Sequence, residues 1–131
     1  MNCHDFHLKG YTVTEFGRRI ALNLVWNYPG PERKDSHIEF VEVELYHFSH
    51  TQGAILTDIV EEPLDVWVKR ESGFIAEADK QDGVRHWAGN AEQYANQLKR
   101  EGYKVWRIEA AIGLSGFVVA KKLEDNSRRH G

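Results

Sequence analysis

The side chains in this sequence most able to do chemistry are its histidines, its single cysteine and a run of closely spaced carboxylates. Cys3, His4 and His7 cluster near the start, and His47 and His50 recur later. Zinc needs three or four such groups converging at about 2.0–2.3 Å. On a strand, however, His4 and His7 point to opposite faces, as do His47 and His50, because both spacings are odd. The expected reading is surface histidines, with no metal assigned. Asp58, Glu61, Glu62 and Asp65 could do acid–base work if one were buried with a raised pKa. They span a strand end and a helix start, where acidic groups complement the positive helix pole or meet a partner. Ser115 lies in Gly113-Leu114-Ser115-Gly116, which lacks the glycine spacing of a nucleophile elbow. No glycine loop with a following lysine cradles phosphate, and Cys3 has no evident base to activate it. No catalytic residue and no cofactor is assigned. Of the four tryptophans, Trp26 and Trp106 fall in strand patterns and are expected in the core. Trp87, in a connector beside Gly89, is with His86 the candidate interface or pocket residue.

Charge is unevenly spread. The chain has 131 residues and a net charge of −3. Residues 35–68 carry eight carboxylates and no lysine or arginine, while both flanks are net basic. Such a segment projects a negative field that attracts basic partners and repels phosphate, which argues against nucleic acid. The competing outcome is that cations from the flanks fold over the segment and neutralise it. A lone cysteine excludes an intrachain disulfide, Met1–Asp5 has no leader-like pattern, and no run approaches the ~20 apolar residues of a membrane span. A cytoplasmic location is expected by elimination, with no membrane partner.

These groups must be positioned by strands and few helices. Leu8–Val13 reads as a strand, Glu15-Phe16-Gly17-Arg18 as a turn, and Ile20/Leu22/Leu24/Trp26 as a strand of clean period two. Pro29-Gly30-Pro31 breaks it, and Glu32–Ser36 reads as a loop. Between Ile38 and Phe48 the apolar parity switches twice, which predicts a bulge, a bend, or a strand buried on both faces. Gly53 closes a loop before a further strand at Ile55, Thr57 and Ile59. Pro63 opens a short helix over about 63–71 that Gly73 would end, with a strand through Val66 and Val68 as the rival. Phe74–Ala78 reads as a short strand before a turn at Asp82-Gly83. Asn90 and Gln93 form a capping box for a helix over about 90–101, with Ala91, Tyr94, Ala95 and Leu98 on one face and Gly102 after it. Tyr103–Ala110 and Gly116–Ala120 read as two strands joined around Gly113, and 121–131 as a disordered polar tail. The expected fold is one α+β domain over 1–120, a mainly antiparallel sheet of sandwich or half-barrel type.

His4-Asp5 with Leu8, the strand Ile20/Leu22/Leu24, Ile38-x-Phe40-x-x-Val43-x-x-Tyr46 and Ala54-Ile55-Leu56-Thr57-Asp58-Ile59 make up a short pattern. Over residues 4–60 it resembles small bacterial β-rich proteins of the immunity-like and uncharacterised families. The resemblance implies a cytoplasmic binding protein, of the kind that neutralises a toxin by occluding it. The expectation is a non-enzymatic module that engages a basic protein through an acidic face of Glu42, Glu44, Asp58, Glu61, Glu62 and Asp65. Two alternatives stand beside it. One is a small enzyme or ligand-binding protein whose pocket holds Trp87, His86 and a nearby carboxylate, and the other is a subunit of a homo-oligomer.

Overall fold

The computed structural model describes residues 6–25 and 35–125, with backbone alone at 35, 50–54 and 57. Cys3, His4, Trp26, the Pro29-Gly30-Pro31 break and the last six positions lie outside the described residues. β1 (His7–Thr14) and β2 (Arg19–Val25) form an antiparallel hairpin around a single 3₁₀ turn, Glu15–Gly17. Along β2 every second residue is buried: Ile20, Leu22 and Leu24 face inward, as the period-two pattern requires.

Two long strands dominate the sheet. β3 (Asp35–Glu62) and β4 (Lys104–Asp125) run antiparallel along nearly their whole length, from Glu62 opposite Val105 to Ile38 opposite Asp125. This corrects three expectations. The strands on either side of Gly53 are one strand, and so are those on either side of Gly113. Residues 121–125 are the last rungs of β4 rather than a loose tail. Each strand supplies the other's ladder partners, so glycine positions that would otherwise read as chain reversals are absorbed as local irregularities. Gly113 takes φ +82° within β4, and the register slips between Val43 and Leu45 and again between His50 and Asp58. The first slip accounts for the parity switch. Glu42 there adopts a left-handed φ of +55°, which costs a non-glycine residue about 1 kcal/mol or more.

The hairpin then closes the sheet on itself. β2 pairs with the first limb of β3, Ile20 opposite Phe40, while β1 reaches the far limb at His7 opposite Ile55. The Leu56 N–H donates to the Phe6 carbonyl at 2.9 Å beside that contact. The result is a small barrel filled by Ile20, Leu22, Phe40, Leu56, Ile108 and Val118 with their neighbours.

α1 (Leu64–Asp82) and α2 (Ala91–Arg100) cover the outside of the β3–β4 ribbon. α1 is far longer than predicted: it runs through Gly73 and includes Phe74–Ala78, which is helix and not strand. Gly73 is exposed, and its helix penalty of about 1 kcal/mol is smaller than the gain from burying Leu64, Trp67, Val68 and Ile75 along one stripe. The helix ends instead at Gly83, φ +78°. α2 matches its predicted limits: Asn90 Oδ1 accepts from the Gln93 N–H at 3.0 Å, and Tyr94, Ala95 and Leu98 are buried. Because helices cover one side and the barrel the other, β4 is apolar on both faces over Phe117-Val118-Val119-Ala120. No helix among the described residues is long and apolar enough to cross a membrane.

Candidate functional site

The six carboxylates expected to share one acidic face are separated by this fold. Glu61 pairs with Lys104 at 3.7 Å and Asp65 with Lys99 at 2.5 Å. Glu62 has a side chain only 7% exposed; both its oxygens accept from Arg70, and Arg107 approaches to 3.5 Å. Glu44 is 1% exposed beneath α2. Asp58 is half-buried and accepts from the Ile59 N–H at 2.8 Å. Glu42 alone of the six is exposed with no ion pair among the described residues. Glu39, also in the acidic segment, pairs with Arg19 at 2.6 Å. Three of the six are therefore paired with lysine or arginine, Glu44 is enclosed, and Glu42 stays exposed, so the run is not one continuous face of unpaired charge. β3 lies between β2 and β4, and their registers carry Arg19 and Arg107 alongside it, while the helices add Arg70 and Lys99.

His86 and Trp87 do lie near a carboxylate, and the partners are Glu44 and Glu101. The short connector after α1 turns at Val84, whose carbonyl accepts from the Trp87 N–H at 3.1 Å. This holds His86 at a left-handed φ of +70°. Its Nδ1 sits 3.5 Å from Glu44 Oε1 and its Nε2 3.0 Å from Glu101 Oε2. The Tyr94 hydroxyl donates to Glu44 Oε2 at 3.2 Å. Burial raises the Glu44 carboxyl above its ordinary value, and His86 and the Tyr94 hydrogen bond pull part of that back. Burial and the Glu44 charge together push the Tyr94 hydroxyl up. Trp87 is half-buried, its ring meeting Tyr94 edge-on at 5.4 Å.

The two carboxylates approach opposite nitrogens of one imidazole, so they cannot converge on a single ion. Among the described residues no group of three histidine, cysteine or acidic side chains is disposed to hold a metal. The arrangement sets one imidazole between enclosed Glu44 and half-exposed Glu101, within hydrogen-bond reach of Glu101 alone, and pins the connector to the barrel. Sequence reasoning named His86 for a pocket and Glu44 for the acidic face but did not bring them together, and it did not name Glu101: Glu44 lies fifty residues from Tyr94, and no spacing rule links them.

A third feature was read only as a turn. Phe16, at the tip of the β1–β2 hairpin, is fully exposed and left-handed, φ 59° and ψ 36°. Glu15 before it is also left-handed, φ 52°, and Val13 is exposed on the same hairpin. Glu42 is close by in the ladder, since the Val43 N–H donates to the Arg18 carbonyl at 2.8 Å. A large aromatic in a turn, outside either strand's alternation, was the available signal. Comparison with known proteins finds no matching family model, no matching curated protein and no matching solved structure.

Proposed function

We propose that this chain is a non-enzymatic protein-binding module, immunity-like in working by covering a basic partner in the cytoplasm, and that its contact surface is the hairpin tip. The observation that carries the reading is Phe16. A fully exposed phenyl ring on two consecutive strained non-glycine residues is a cost to the free protein. An aromatic anchor buried in a partner's recess recovers that cost, and such anchors dominate interface energies. Glu42 beside the tip has no ion pair among the described residues and offers its charge to a basic partner, so the contact contracts from six carboxylates to one with an aromatic neighbour.

The test is capture from a native-source lysate on immobilised protein, scored by quantitative mass spectrometry. Phe16→Ser should reduce the specifically retained partner at least about tenfold, with Glu42→Lys reducing it less. Retention unchanged by Phe16→Ser would end this reading. A second reading, proton-transfer chemistry at His86, is favoured by that residue's strained backbone between two carboxylates. It requires that a small molecule alter the His86 ring resonances, and that His86→Gln abolish a turnover detected in the wild type.

A further inference from the structure

Beside the barrel, where β3 passes the end of α1, lies a groove of about 380 Å³. That is near the small end of the range for ligand pockets. Tyr11, Tyr46 and Phe48 line one side: the Tyr11 and Phe48 rings meet edge-on at 5.1 Å, and Tyr46 and Phe48 are 5.5 Å apart. His47 and Phe74, tilted together at 4.6 Å, line the other. β3 can furnish both sides because Tyr46 and Phe48 point toward the barrel while His47, between them, points toward α1. The remaining liner that matters is Asp82, exposed and without an ion pair among the described residues.

Three properties of this groove agree in sign. Aromatic faces carry a negative quadrupole that attracts organic cations, by about 0.5–1 kcal/mol when exposed and about 2 when desolvated. Asp82 adds a full negative charge. α1 ends on the groove at Asp82 and Gly83, so the negative pole of a 19-residue helix is directed there as well. No lysine or arginine is among the residues lining it; Lys80, in the last turn of α1, is not one of them. For an anion the groove offers no lysine or arginine, only His47 and the tyrosine hydroxyls as side-chain donors, and an uncharged alkyl chain gains nothing from Asp82 or the helix end.

We infer that this groove takes a lysine or arginine side chain of the partner protein, the aromatic rings packing against its stem and charge while Asp82 and the α1 terminus neutralise it. The inference rests on the basic-partner reading above and gives that partner a second point of attachment. It also accounts for how a domain whose acidic segment is partly paired with its own cations selects a basic partner: the selectivity lies in an aromatic groove as well as in the carboxylate run.

The experiment uses the full chain and NMR ring resonances of Tyr46 and Phe48. Nα-acetyl-lysine methylamide and the matching arginine compound should shift these resonances saturably. The norleucine analogue, equal in stem and without charge, should bind at least about fivefold more weakly. Asp82→Asn, at an exposed helix end, should weaken the lysine compound about three- to fivefold, and Tyr46→Leu should remove most of the shift of the Phe48 ring. Equal binding of the norleucine and lysine compounds, or no saturable shift with either cation, overturns the inference. Tetramethylammonium binding more than tenfold tighter than either amino-acid derivative overturns it too, because the groove would then belong to a free ammonium compound. Phe16→Ser should leave these titrations unchanged. If cation binding is absent while Phe16-dependent capture persists, only this groove assignment falls.

Discussion

The two sides of the β3–β4 ribbon are built on different principles. The barrel interior is hydrocarbon: Ile20, Leu22, Leu24, Phe40, Leu56, Ile108 and Val118 are essentially without solvent contact, and among the described residues no charged group is buried with them. The layer beneath the helices is as well covered, through Trp67, Tyr94, Leu98 and Val119, yet it also encloses two carboxylates. Those two are treated differently. Glu62 is given full positive charges by Arg70 and Arg107, whereas Glu44 is given a phenol and an imidazole. The contrast teaches that response to pH, and sensitivity to losing one partner, is concentrated under the helices, while the barrel is an indifferent frame.

The largest effect that would sharpen this contrast is Leu22→Ala. A side chain with no exposure in a closed barrel should cost about 3 kcal/mol in urea unfolding, by the same amount at every pH from 5 to 8. Under the helices, Arg70→Ala leaves Glu62 buried with only the more distant Arg107, and a loss of about 2 kcal/mol is expected. The half-exposure of Arg70 keeps this below the full range for breaking buried pairs. Tyr94→Phe removes a neutral donor from Glu44 without opening a cavity and should cost about 1 kcal/mol. A Tyr94→Phe cost equal to or above that of Arg70→Ala would erase the distinction between the two carboxylates.

The smallest effect is the most specific. The raised Glu44 carboxyl means that the native state holds its proton more tightly than the unfolded chain does. That contribution is fully present below the ordinary value of 4.5 and is lost as pH rises through the higher folded value. Wild-type stability should therefore fall relative to Glu44→Gln as pH rises above 4.5, seen as diverging urea midpoints. Midpoints that run parallel would place Glu44 in ordinary solvation.

Much of the frame was legible in the sequence. The Ile20/Leu22/Leu24 alternation and the Asn90–Gln93 box gave elements with nearly correct limits, because each is decided by neighbours within a few residues. The parity switch around Val43 was equally local, and a bulge lies there. What failed was decided at a distance. Gly73 and Gly113 looked like breaks, and both are carried through regular structure, one by the buried stripe of α1 and one by the ladder of β3. The candidate site fared worse for the same reason. Charge counting located the anions correctly along the chain but could not see Arg19, Arg70, Lys99, Lys104 and Arg107 arriving beside them. Phe16 was passed over because a turn residue is not tested by periodicity.

The pairing of β3 with β4 also has a consequence for how the protein is made. During synthesis β3 leaves the ribosome first, yet its rungs from Ile38 to Glu62 are completed only by residues out to Asp125. At roughly 5–20 residues per second, this long apolar-rich strand waits several seconds with one edge open. The intervening helices can form meanwhile, but they have no sheet to rest on until Lys104 onward has emerged. Distant partners of this kind slow folding and leave the nascent chain exposed to mispairing with its neighbours. Holdase chaperones should therefore engage nascent chains arrested between residues 62 and 104 far more strongly than the released, finished protein.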